Sequence, residues 1–202
     1  VDLGGSSGRI IKVSFSGNSF SFKECHRFLN TPVKKGNTLY WNIKRLWEET
    51  INGIILAMKD TTSIGVDSWG VDYGLLNKEN KLIFDPVHYR DSRTRNMTKW
   101  VFNRIPQWTI FENTGIQTLE LNTLYQLASQ VKVKDSNLKE AQTYLGIPDI
   151  FNFWLTGEKK AEFTHATTTQ LYNPKEKRWC NEIMEKIGIP TRIFPEVIQP
   201  GT

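Results

Sequence analysis

Near the start of the chain, apolar side chains alternate with polar ones. Ile11, Val13 and Phe15 are separated by Lys12 and Ser14, Gly17-Asn18 interrupts, and Phe20 and Phe22 resume the period. A period of two belongs to a half-buried strand, and Gly-Asn between two such runs marks a tight turn. Residues 1–28 are therefore expected to form two or three consecutive antiparallel strands. From Ile43 the period changes: Ile43, Leu46, Trp47, Thr50, Ile51, Ile54, Ile55 and Met58 recur at three and four residues. That pattern predicts an amphipathic helix, with Asn42 placed to cap its start.

Beyond the helix, the stretch TSIGVDSWG has the form of a short apolar strand ending in polar residues. YGLLNKENKLIFDPV suggests two extended segments around a turn at Asn77 to Asn80. Helices are expected over Arg93 to Phe102, Thr123 to Val131 and Pro148 to Leu155, the last closed by Gly157. A β hairpin, then helix, strand, helix and strand, gives an α/β layered domain with a mixed β-sheet.

Length and composition fit a globular chain with a proper core. No stretch approaches the roughly 18 to 20 apolar residues that cross a bilayer, and no basic-then-apolar leader is present, so the expectation is a cytoplasmic protein without a membrane partner. Cys25 and Cys180 lie far apart and make no metal-ligand spacing; both are expected to be reduced thiols. The net charge of +5 raises nucleic acid as a partner. The lysines are scattered among Asn, Gly, Glu and Asp, however, which describes a solvated surface rather than a nucleic-acid face.

Four stretches carry candidate chemistry. In VDLGGSSGRIIKVSF, the residues Gly4, Gly5, Ser6, Ser7 and Gly8 bring backbone N–H groups close to a polyphosphate, while Arg9 offers a cation and Asp2 a carboxylate for Mg²⁺. The run lacks the Gly-Lys-Ser/Thr of a P-loop and no helical period follows it. Its composition alone favours an ordinary tight β turn. In GVDSWGVDYG, Asp67 and Asp72 bracket Trp69 and Gly70 at the polar end of a strand, where ligands gather in open α/β sheets. An aromatic face beside an approachable backbone suits a sugar; the alternative is that Trp69 is core and Asp67 caps a turn. PVHYRDSRT concentrates His88, Tyr89, Arg90, Asp91 and Arg93, although Asp91 fits equally as an N-cap. HATTTQL, at His165 to Leu171, suggests by itself a polar connection or an exposed β edge.

Taken together, DLGGSSGR, GVDSWGVDYGLL, PVHYRDSRT, NTLYQL and ATTTQL, with HRF at His26 to Phe28, resemble the FGGY family of carbohydrate kinases, and within it the rhamnulokinase branch. The resemblance spans essentially the whole chain. It implies an actin-like, ribonuclease-H-like fold of two domains with ATP and a ketose bound between them. It further implies that Gly5, Ser6, Ser7, Gly8 and Arg9 form the ATP-binding segment, that Asp2 is the Mg²⁺-associated carboxylate and that Gly70 contacts the sugar. Trp69, Asp72 and Tyr89 are expected to line the sugar pocket. The implied reaction is ATP-dependent phosphorylation of L-rhamnulose at its 1-hydroxyl. Another ketose of the same family, L-fuculose or D-xylulose, or a non-catalytic sugar-binding module, are the alternatives. The catalytic base of such kinases is an Asp in a His-Asp-Thr-Ala-like motif, which does not occur in this sequence. Base and adenine pocket are expected in a C-terminal domain beyond Thr202, and residues 1–202 alone are expected to be inactive.

Overall fold

The alternation at the start of the chain builds a ribbon. In the computed structural model, which describes residues 1–202, β1 (Asp2–Leu3) turns back into β2 (Ser7–Phe15), and β2 into β3 (Phe20–Leu29). Asp2 lies opposite Arg9, Arg9 opposite Arg27, and Phe15 opposite Phe20. Gly17 makes the expected turn with φ 66°. The register shifts at Ile10/Ile11, a β-bulge in which Cys25 is the extra residue.

A short hairpin of β4 (Val33–Lys35) and β5 (Thr38–Tyr40) precedes α1 (Ile43–Ala57), whose first turn is capped by the Asn42 side chain accepting from the Arg45 N–H. Ile43, Leu46, Thr50 and Gly53 are its buried positions. Gly53 is required by packing, because a Cβ there would overlap Ile10 on β2. β6 (Asp67–Ser68) then lies parallel to β1, with Asp67 opposite Asp2, giving a four-stranded sheet in the order β3-β2-β1-β6. The sheet is mixed, as the order of elements required.

Three expectations need correction. The apolar strand over TSIGVDSWG shrinks to Asp67–Ser68, because β1 offers a ladder only two residues long and Ile64 stays exposed. The helix over Arg93 to Phe102 is broken: a 3₁₀ turn at Ser92–Thr94 is followed by Asn96 at φ 61°, and α2 starts at Met97 (Met97–Phe102). The HATTTQL stretch is neither a polar connection nor a β edge.

β7 (Tyr73–Leu76) pairs antiparallel with β8 (Thr143–Gly146) across an intervening helical segment of α2, α3 (Gln107–Thr114), α4 (Thr123–Lys132) and α5 (Ser136–Glu140). After β8 come α6 (Ile147–Thr156), closed by Gly157 at φ 82°, β9 (Ala161–Glu162) and α7 (Phe163–Thr168). The hydroxyls of Thr167, Thr168 and Thr169 donate back to the carbonyls three residues earlier, which lets a run of β-branched polar residues stay helical. The chain finishes with β10 (Tyr172–Asn173), β11 (Arg178–Trp179), α8 (Asn181–Ile187) and β12 (Val197–Ile198), the last parallel to β9.

Every residue of β7 and β8 is buried. Tyr73, Leu75 and Tyr144 face a core of twenty residues built with α2, α4 and α8, whereas Leu76 and Leu145 face one of nine residues beneath the sheet and α1. The β7–β8 ladder thus separates two cores and belongs to both. Burying one such Leu contributes about 1.5–3 kcal/mol, so each face is strongly specified. Both cysteines are free, and burial pushes the Cys180 thiol up to about 12. No helix is long and apolar enough to cross a membrane.

Candidate active-site cleft

The turn between β1 and β2 is held from within. Gly4 N–H donates to the Ser7 carbonyl at 2.8 Å, while the N–H groups of Gly5 and Ser6 donate to nothing in the chain and both residues are exposed. Free amides on a solvent-facing turn are what an anion needs. Arg9 is ion-paired with Asp2, and both side chains remain partly exposed at 40% and 34%. Gly8 differs from its neighbours: it is buried, and a Cβ there would overlap the Phe28 ring. Its missing side chain serves packing.

A second group of residues gathers on Asp72. This carboxylate has no exposed surface, and its Oδ2 accepts from Trp41 Nε1 at 2.6 Å, Trp69 Nε1 at 3.1 Å and the Tyr89 N–H at 3.2 Å. Its Oδ1 accepts from Gln126 Nε2 at 2.9 Å. Burial pushes Asp72 up to about 6 despite the opposing bonds from Gln126, Trp41 and Trp69. Around it the aromatic rings close into a wall. Trp41 lies 4.1 Å from Trp69 and 4.0 Å from His88 by ring centroids, and His88 lies 4.5 Å from Tyr89. Burial, with Arg90 nearby, holds His88 down at about 4, so it is a neutral ring of this wall. Asp72 is thus buried behind these rings, and its bonds hold Trp41, Trp69 and the Tyr89 backbone together.

Gly70 and Val71 form the turn beside that wall. Val71 sits at φ 66°, a left-handed conformation that a β-branched residue adopts only under constraint. The constraint is visible. Thr168 Oγ1 accepts from the Val71 N–H at 3.2 Å, and Thr123 Oγ1 donates to the Val71 carbonyl at 2.6 Å. A Cβ on Gly70 would press on Thr168 at 3.1 Å. A cavity of about 1010 Å³ opens here, lined among others by Asp67, Ser68, Gly70, Asp149, His165 and Thr168.

The Tyr89 hydroxyl lies 3.3 Å from where a Cβ on Gly5 would stand, so the aromatic wall comes close to the glycine turn. Asp91 keeps a structural task as well: its carboxylate accepts from the Arg93 and Leu39 N–H groups.

Sequence reasoning missed Trp41, and it gave no individual role to Gln126, Thr168 or His165, although NTLYQL and HATTTQL contain them. Trp41 follows a short hairpin with no pattern of its own, and its link to Asp72 spans 31 positions. His165 lies on Gly146, where a Cβ would overlap its ring, and neither ring nitrogen has a hydrogen-bond partner. Its Nδ1 is 4.0 Å from Asp149, whose carboxylate caps the start of α6 and also accepts from the Glu162 N–H. Burial drives these two in opposite directions, Asp149 up to about 7 and His165 down to about 4.

The description "FGGY family of carbohydrate kinases, N-terminal domain" matches residues 1–202. The chain belongs to that family. Within it, the chain is 40% identical to a rhamnulokinase of Pectobacterium atrosepticum over 100% of its own length and 42% of the relative's. It is 37% identical to a rhamnulokinase of Oceanobacillus iheyensis over 99% of the chain and 43% of that protein. The chain thus spans less than half the length of these relatives. Among solved structures, the ligand-bound xylulose kinase of Lactobacillus acidophilus superposes with a TM-score of 0.85 at 19% identity, covering 100% of this chain and 41% of that one. Plasmodium falciparum glycerol kinase with ADP gives 0.75 at 14% identity, covering 97% and 42%. At such identities the likeness establishes the fold, an FGGY sugar-kinase fold with its mixed sheet and flanking helices, and the α/β actin-like expectation holds.

Proposed function

We propose that this chain is the N-terminal half of an ATP-dependent sugar kinase that phosphorylates L-rhamnulose at its 1-hydroxyl. The observation that carries the reading is the approach of the Tyr89 hydroxyl to Gly5, 3.3 Å from where a Cβ would stand, which brings the aromatic wall up to a turn with free amides. The identity to rhamnulokinases supports the choice of ketose.

In this reading Gly5 to Arg9 hold the phosphates of ATP through backbone N–H groups and the Arg9 guanidinium. Gly70, with its approachable backbone, contacts the ketose; Trp69 and Tyr89 give it an apolar face, fixed by Asp72. Asp2 fits a Mg²⁺ site: it is a partly exposed carboxylate beside the phosphate turn, with Asp67 as its cross-strand neighbour. Magnesium takes one or two carboxylates and completes its shell with water and phosphate oxygens. A bound ion would spread the charge of the transferring group. The 1-hydroxyl oxygen forms a bond to the γ-phosphorus as the bond to ADP breaks, and the hydroxyl proton passes to a base. That base, and the adenine pocket, belong to a C-terminal domain, and closure of the two domains keeps water from the phosphoryl group.

The test is a panel of ketoses with coupled ADP detection on the intact enzyme. L-Rhamnulose is expected to be turned over best. Faster turnover of L-fuculose or D-xylulose would overturn the assignment of substrate, and turnover of none would leave a sugar-binding module. Residues 1–202 alone are expected to release no ADP.

A further inference from the structure

We propose that Asn30 is a positioning residue that sets the phosphate turn for ATP; the inference rests on reading Gly5 to Arg9 as the phosphate segment. Asn30 follows directly on β3 and is 4% exposed. Its side-chain Nδ2 donates to the Gly4 carbonyl at 2.8 Å, and its backbone N–H donates to the Ser6 carbonyl at 2.9 Å. With Gly4 N–H on the Ser7 carbonyl, three carbonyls of the turn are engaged from inside.

A trans peptide unit points its C=O and its N–H in opposite directions. Drawing the Gly4 carbonyl toward Asn30 therefore turns the Gly5 N–H away from it, and drawing the Ser6 carbonyl in does the same for Ser7. One residue thereby turns the free Gly5 amide outward, to the surface where phosphate is expected, and anchors the turn at Ser6. The orientation of the Asn30 amide is fixed by chemistry: exchanging its ends would set Oδ1 against the Gly4 carbonyl, two acceptors face to face. Oδ1 itself is buried and accepts from nothing, so the side chain is anchored through its donor alone.

The experiment compares Asn30→Asp, Asn30→Ala and Arg9→Ala in the intact enzyme. Asn30→Asp keeps the shape but replaces the N–H donor by an oxygen. It is expected to raise the ATP KM about tenfold, with the ketose KM within about twofold, and Asn30→Ala less. If Asn30→Asp does not fold, Asn30→Ser, which keeps a hydroxyl donor, enters the same assay and is expected to fall between wild type and Asn30→Ala. An ATP KM unchanged in these variants, or both KM values raised equally, would overturn the proposal. Should Arg9→Ala alone disturb ATP, the inference about Asn30 fails while the phosphate turn stands. Should neither disturb it, the phosphate turn itself fails. Without turnover, the same comparison is read from the rise in Tm that ATP produces.

Discussion

The hydroxyl of Tyr89 rests 3.3 Å from the position a Cβ would take on Gly5. One residue thus links the aromatic wall to the glycine turn, with its ring against His88 and its polar end toward Gly5. Tyr89→Phe removes the polar end and leaves the ring. A loss of about two- to fivefold in kcat/KM is expected for it, and of more than about tenfold for Tyr89→Ala. Equal losses in the two variants would assign the whole effect to the hydroxyl.

Asp72 serves four donors and has no exposed surface. Its truncation leaves two indoles and a backbone N–H without an acceptor, while the Gln126 amide keeps the Val71 and Leu121 carbonyls. Asp72→Ala is expected to destabilise the domain by about 3 kcal/mol, measured by urea unfolding, because orphaning buried donors costs more than a hydrogen bond contributes. Its tryptophan emission should shift to the red as Trp41 and Trp69 loosen. An unmoved spectrum would mean that packing alone holds the wall.

Gly146 and His165 fit only each other. Gly146→Ala drives a methyl group into the imidazole and is expected to lower stability by about 1–3 kcal/mol. In Gly146→Ala/His165→Ser the smaller side chain should restore much of that loss, and a double-mutant cycle by thermal melts gives the coupling. Strictly additive effects would refute the contact.

Asp149 and His165 make opposite contributions to stability against pH. Asp149 has its ordinary 3.8 raised to about 7, so its contribution is complete below about 4 and is lost as pH rises through 7. His165 has its ordinary 6.5 lowered to about 4, so its contribution is present above 6.5 and is lost as pH falls toward 4. Between these limits the two slopes oppose one another. Asp149→Asn removes the first and leaves the second. The gap in Tm between parent and variant is therefore expected to narrow as pH rises from about 4 to 7. A gap independent of pH would mean that Asp149 stays ionised throughout.

The hairpin, α1, α4 and α6 were legible because each repeats one period for long enough to be recognised. Short elements were not: α3, α5 and α8 lack that length, and α7 hides in a run of threonines whose helicity depends on hydroxyls bonding back to the chain. The site was legible in its local pieces, the glycine turn and the Trp-Gly-Val-Asp stretch. What joins the pieces is distant in sequence. Thr168 reaches Val71 across 97 positions, and Trp41 finds Asp72 from the far side of α1. No local pattern announces such partners, since they are chosen by the packed structure and not by their neighbours along the chain.

The β7–β8 ladder, buried on both faces, has a consequence for how this domain fails. A wall shared by two cores cannot melt on one side only. Opening either core exposes the strands that the other depends on, so the two should unfold in a single cooperative step. Asp72 stands immediately before that wall, and Gly146 ends it. The aromatic wall around Asp72 therefore draws its rigidity from the whole domain, and damage far from it, on α8 or under α1, would be felt there as a loosened wall.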